Sequence, residues 1–598
     1  ETSDNARELF FRNPSNDIVS GWAFATTSLA AEFAESSRRR FLGGSDREPC
    51  WPYMVEHGHP DSSAEDDGWR IAGFAGNIAV AAGGEETIVF CIGQTQERED
   101  AARLAQLTRD RAWAERALRA VRDSWSATLG VMRIETNRPD FDRLVNDWLP
   151  YQLLSSRLWG RTGQAQRSGA IGYRDQLQDV LPLIVLKPEA ARRQILLHAR
   201  QQFIEGDVLK WWHRSEDGRT GLGDRSRASD PHLWLPYLTV RYVAQTGDVG
   251  ILDEVSPFIE GMRVPAGEEG RMMTPLPSRD AATLVGHCQR AIDHTLARLG
   301  RRGLPLMGVG DWDDGMNLVG WEGRGESVWM GFFLHDTLTR FATLIDARGD
   351  DRTAARYLGA ARDLASALAG AWDGDRFVRA WNDDGKVIKP VSAMTSAWPA
   401  LSGAIPHARS REAAENALAA LDKGDRVLLV TPPYTEHSDP IPGRSADYPP
   451  GVRENGGQYS HGVSWFVDAL ALLARQAADE GRADDAAHLR KRASEVWMAI
   501  SPLTKYAPEM IDVYGLPPHQ QPADVYDGPG YEGRGGWAWY TGAAARMIAA
   551  AHAMLGVRMV DGVFTLEPDA FEPRGDLQLK SVTYKGKRHE AAPAKETA

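Results

Sequence analysis

Asp313 and Asp314 stand side by side between Trp312 and Gly315, with Asp311 just ahead of the tryptophan and Gly308 and Gly310 ahead of that. An indole next to carboxylates suits a sugar. The ring covers the apolar face of a pyranose, and an acid handles its hydroxyls or the glycosidic oxygen. Three acids and an indole in four positions are not expected to share a core, because a buried charge needs a partner. The glycines let the backbone turn sharply and approach a ligand closely. An acidic surface loop is the blander alternative.

Four further blocks carry polar side chains at glycine-rich turns. In RSGAIGYRDQLQD, Arg167 to Asp179, Asp175 is expected to accept hydrogen bonds from sugar hydroxyls while Arg174 orients it; a structural ion pair is the alternative. Upstream, Arg157 and Arg161 are candidate anion ligands. Between Gly206 and Pro236, Trp211, Trp212 and His213 form a candidate aromatic platform, and Arg225, Arg227 and Asp230 precede a helix. In YPPGVRENGGQYSHGVSW, Arg453, Glu454, Tyr459 and His461 crowd a Gly-Gly turn that opens a helix, and an exposed helix start beside His and Arg attracts anions. A capped helix with polar decoration is the alternative there. In YEGRGGWAWYTGAAARM, Thr541 and Gly542 offer a hydroxyl and an amide to a phosphate. No His/Cys cluster has zinc spacing, and GxxxxGK[ST] and GxSxG are lacking, so no metal, cofactor, nucleotide or serine nucleophile is indicated.

The elements that must hold these loops follow from periodicity. Residues 1–105 alternate in short apolar runs such as NIAVAAG and ETIVFCIG and predict a partial β-sandwich. Residues 106–139 predict linker helices. From 140 to 555 helices alternate with Gly-, Trp- and Asp-rich loops, many of the helices ending at Gly. That pattern predicts a mainly α fold, an (α/α) barrel of six hairpins with its functional loops at one end. Residues 556–598 predict short C-terminal β strands and a polar tail. The net charge of −13 without a basic block argues against nucleic acid. Three cysteines fit a reducing compartment, and no apolar run is long enough to span a bilayer. The chain starts at Glu1, which suggests processing or part of something longer.

Taken together, the blocks GYRDQLQD, GDWDDGMN, GRGESVW, PPGVRENGGQYSH, ADVY and GRGGWAWYTG resemble the inverting phosphorylases of glycoside hydrolase family 94. Their phrasing is most similar to the C-terminal phosphorylase-like module of cyclic β-1,2-glucan synthases. The resemblance implies that Asp314 is the general acid, kept protonated by burial and neighbouring carboxylates. It implies phosphate held by Arg161, His461, Thr541 and Gly542, and sugar held by Arg174, Asp175, Trp312, Asp313, Glu454 and Tyr459. The implied reaction is phosphorolysis of β-linked gluco-oligosaccharides to α-glucose 1-phosphate, with β-1,2-glucan as the preferred substrate, inorganic phosphate as co-substrate and no cofactor. Two alternatives remain: an inverting hydrolase on the same toroid with Asp313 or Glu454 as base, and a non-catalytic glucan-binding module. The expected assembly is a homodimer or a module of a membrane-bound synthase, cytoplasmic or tethered to the inner membrane. The sequence departs from the family phrasing at Asp313 (usually Asn), at WWHRS (usually WWHPP) and at Pro231 (usually Asp).

Overall fold

The structure, a computed structural model, describes residues 6–13, 21–44, 51–66, 68–159, 169–215 and 218–591, the Trp159 side chain excepted. The chain divides into two units, Glu1–Ala127 with Ser215–Arg219, and Thr128–Arg214 with Thr220–Ala598.

In the first unit, strands Glu8–Phe11, Trp22–Thr27 and Phe90–Thr95 form an antiparallel sheet in that order. Helix Arg98–Thr108 lays Ala101 and Ala105 against Phe10 and Phe24. Phe33–Ser37 pairs with Arg70–Ala75. Residues 76–89, where the apolar alternation predicts strand, carry none. The run is rich in Ala and Gly, which have little side chain to pack on a pleated face.

In the second unit six inner helices form a ring. They are α1 (Tyr173–Asp179), α2 (Trp234–Thr246), α3 (Val328–Asp346), α4 (Ala393–Ser402), α5 (Trp465–Asp479) and α6 (Thr541–Met554). Each touches the next, and α6 returns to α1. The helical segment 139–159 and helices Pro188–Ala199, Leu284–Leu296, Asp351–Ala369, His407–Leu421 and Ala483–Ile500 pack against them. The two sets differ as their sequences require. VWMGFFL in α3 is apolar all round and buried all round, whereas Asp351–Ala369 buries one stripe, Ala354, Tyr357, Ala361, Leu364 and Leu368. The result is the mainly α barrel of six hairpins that periodicity predicts.

Short strands sit between the helices. β1 (Leu209–Arg214) and β2 (Thr220–Ser226) pair antiparallel within a four-stranded sheet. Val255–Glu260 pairs with Leu276–Thr283, a hairpin that the sequence reading does not anticipate. Met132–Thr136 lies in the stretch expected to be linker helix, yet it is a strand and pairs with C-terminal strand Leu579–Tyr584. Its burial alternates, Met132, Ile134 and Thr136 inward, as MRIET dictates. Among the described residues no helix is long and apolar enough to cross a membrane.

Candidate active site

The acidic loop is pinned from inside. Asp311 is fully buried, and its carboxylate accepts from both arms of the Arg379 guanidinium at 2.7 and 2.6 Å. It also accepts from the hydroxyl of Ser327 at 2.6 Å, the residue that caps α3 by accepting from Met330 N–H. Asp313 is buried too and accepts from Gly315 N–H and the Ser445 hydroxyl. Asp311 and Asp313 therefore enter the core, because distant residues supply their partners, while Asp314 stays half exposed, so the three acids do not share a core, as their spacing leads one to expect. Burial, followed by the charge of Glu454, pushes the Asp313 carboxyl well above its usual range. Trp312 donates its indole N–H to Gln178 at 3.1 Å. Its ring is wedged among Tyr459, His461 and Trp465, with centroids 5.7, 5.0 and 5.1 Å away. At 7 % exposure, the face assigned to a sugar is largely covered by protein.

Asp314 is the acid that emerges, with its side chain 48 % exposed. One carboxylate oxygen lies 2.7 Å from an Arg174 nitrogen and the other 3.0 Å from Lys210 Nζ. Arg174 is held by the buried carboxylate of Asp230 at 2.8 Å and by the Asp311 carbonyl at 3.0 Å. Asp230 is fixed in turn by the Trp234 indole N–H. Burial pushes the Asp314 carboxyl up, but Arg174 and Lys210 outweigh it and hold it below the ordinary carboxylate range. The expectation of an acid kept protonated by burial and neighbouring carboxylates is corrected: Arg174 and Lys210 favour its ionised form.

A second cluster lies against Trp312. Thr541 opens α6, where the first-turn N–H groups have no helical partners and favour negative charge. Its hydroxyl donates to Asp179 at 2.8 Å and accepts from Arg157 Nε at 3.1 Å. His461 is buried, and among the described residues neither of its ring nitrogens has a hydrogen-bond partner. A Cβ at position 542 would stand 2.5 Å from His461 Nδ1, so only glycine lets the imidazole lie against the start of α6. Burial and then the charges of Arg546, Arg174 and Arg157 push the proton affinity of His461 well below the usual histidine value. A neutral ring with two nitrogens unused among the described residues, a helix start and several guanidinium fields together make a cluster whose chemistry suits an oxyanion.

The other expected residues fall as follows. Arg174 does not orient Asp175. It reaches Asp230 and Asp314, while Asp175 lies 3.5 Å from Arg157. Adjacent residues on a helix point in different directions, so the Arg-Asp dipeptide cannot form a pair. Glu454 is mostly buried and lies 3.2 Å from Arg453 Nε, its carboxyl pushed up by burial against the pull of Arg453. Tyr459 is buried, its hydroxyl 3.4 Å from that of Tyr540. Trp212 belongs to the core, and Arg225 is buried between Asp207 and Glu205. Arg161 and Arg167 lie outside the described residues, and the upstream candidate that reaches the pocket is Arg157. The sequence reading passed over Lys210, whose one signal is its place in a strand beside Trp211. It gave no role to Asp179, although its spacing of four from Asp175 puts both on one face of α1.

The profile of the Glycosyl hydrolase 94 superfamily, catalytic domain, matches residues 124–556, and that of the Glycosyl hydrolase 94, supersandwich domain, matches residues 1–111. The chain is 35% identical over 576 residues to the cyclic beta-(1,2)-glucan synthase NdvB of Rhizobium meliloti (strain 1021), covering 93% of this chain and 20% of that protein. It is 27% identical over 465 residues to the solabiose phosphorylase of Paenibacillus borealis, covering 76% of this chain and 54% of that one. To the N,N'-diacetylchitobiose phosphorylase of Vibrio furnissii it is 23% identical over 598 residues, covering 92% and 68%. The chain thus spans a fifth of the first relative's length and about half of the second's.

Proposed function

The chain belongs to the glycosyl hydrolase 94 superfamily, and from that premise we propose that its barrel carries out inverting phosphorolysis of β-linked gluco-oligosaccharides, releasing α-glucose 1-phosphate. The observation that supports this best is His461, buried beside the start of α6 with both ring nitrogens unused among the described residues and within the fields of Arg546, Arg174 and Arg157. Phosphate in that pocket takes hydrogen bonds from His461, Thr541 and the first amides of α6. Asp314 passes a proton to the departing glycosidic oxygen, and the phosphate attacks the anomeric carbon from the opposite face. The acid has to gain its proton as substrate arrives. A sugar that strips water from the half-exposed carboxyl raises its proton affinity, and an anion that offsets the field of Arg174 does the same.

An inverting hydrolase needs a second carboxylate free to activate water. Asp313 already accepts from Gly315 and Ser445, and Glu454 is paired with Arg453, which favours an anionic nucleophile over an activated water. β-1,2-Glucan is the preferred substrate in this reading, by analogy with the relative named for cyclic beta-(1,2)-glucan synthesis. In the same reading the chain acts as a homodimer or as a module of a longer membrane-attached synthase, with its sugar phosphate product kept in the cytoplasm. The test is incubation with β-linked glucobioses and oligoglucans, with and without phosphate, assayed for glucose 1-phosphate. Phosphate-dependent glucose 1-phosphate is expected. Free glucose in phosphate-free buffer would favour hydrolysis, and binding without product a glucan-binding module.

A further inference from the structure

Asp179 is a buried carboxylate that this reaction leaves unused. It is fully buried; one oxygen accepts the Thr541 hydroxyl at 2.8 Å and the other has no hydrogen-bond partner among the described residues. Thr541 accepts from Arg157 in turn, so the geometry directs its proton at Asp179. A hydroxyl has one proton to give. While that proton is committed to Asp179, Thr541 cannot donate to an arriving oxyanion, and the negative charge behind it opposes the anion's approach. A single proton placed on Asp179 removes both obstacles. The protonated carboxyl donates to the Thr541 oxygen, and Thr541 turns its own proton toward the anion.

We infer that Asp179 is a positioning residue that takes up one proton whenever an oxyanion enters the Thr541–His461 pocket, so that anion and proton bind as a pair. This rests on the anion site proposed above. The proton comes from a buffer acid in solvent: its bond to the buffer breaks, an O–H bond forms on Asp179, and no other covalent bond changes. Among the described residues, the charged and titratable groups facing Asp179 are Arg157 from the helical segment Leu154–Trp159, Asp175 from its own helix, and Tyr540 at the start of α6, with the Thr541 hydroxyl beside it. Burial raises the carboxyl, Arg157 and the Thr541 hydrogen bond oppose it, and Asp175 adds to the rise, leaving it at about 7. An anion resting on Arg157 offsets the chief opposing influence, so the bound state holds its proton more firmly than the empty one.

The test uses the full chain and inorganic sulfate, which stays a dianion across neutral pH and so contributes no proton of its own. Calorimetric titration at about pH 8, in two buffers of different ionisation heat, counts the protons taken up. About one proton per sulfate is expected, with affinity falling about tenfold per pH unit above about 7. Asp179→Asn, whose amide donates to Thr541 without titrating, is expected to bind sulfate with no proton uptake and little pH dependence. Wild-type binding without proton uptake overturns the inference and leaves the anion site standing, as does uptake that persists in Asp179→Asn. No sulfate binding to the wild type overturns the anion site itself. Should Asp179→Asn fail to fold, the two-buffer measurement on the wild type decides alone.

Discussion

Asp314 sits between two cations, and that placement makes its chemistry testable. In Asp314→Asn the leaving oxygen loses its proton donor, so turnover is expected to fall about a hundred- to ten-thousandfold. The side chain is half exposed, so the urea midpoint should stay close to that of the wild type. Lys210→Met tests what the ammonium contributes. Lys210 helps hold the carboxyl below its usual range, so its removal raises the proton affinity of Asp314. A general acid works only while protonated, so the alkaline limb of the kcat/KM profile is expected to move to higher pH by about one unit. If Lys210 served only to pack β1, activity would change but the limb would not move. Nothing in its immediate neighbours distinguishes this lysine from a solvated one. Its partner is 104 residues downstream (314 − 210), and spacing within a motif carries no information about such pairs.

The helices were legible because burial repeats with the helical period, and the loops between them were legible as glycine-rich interruptions. What those loops do inside was not. The spacing in GDWDDG says that its acids need partners but not which ones: Asp311 is anchored by Arg379, 68 residues away, and by the cap of α3. This anchor fixes the start of an inner helix and the acidic loop together. Arg379→Met leaves Asp311 charged and buried without its main partner, a change expected to cost about 3–5 kcal/mol, read as a lowered denaturant midpoint. Activity should fall with it, since the Asp311 carbonyl also helps hold Arg174. The same limit explains Arg174 and Asp175, neighbours in sequence that a helix sends to different partners.

Across the second unit, early and late parts of the chain are joined twice. Helix α6 closes the ring on α1, and strand Leu579–Tyr584 lies along Met132–Thr136. Periodicity predicted short C-terminal strands, but no local signal named their partner, which lies in a stretch that reads as linker. Truncation after residue 578 is expected to expose Met132 and Ile134 and to remove Leu579 and Val582. Uncovering the first two alone costs about 3–6 kcal/mol. Urea unfolding of the truncated chain measures this, and an unchanged midpoint would mean that the strand pair contributes nothing to the barrel.

The hydroxyl of Thr541 meets the carboxylate of Asp179 across 362 residues of sequence. A ribosome adding roughly 5–20 residues per second takes on the order of 20–70 s to cover that distance. Throughout that interval the nascent chain carries Asp179 and Arg157 without the helix start that completes their pocket. In the proposed reading no emerging fragment that lacks α6 can capture an oxyanion there, and anion binding stabilises only chains that include it.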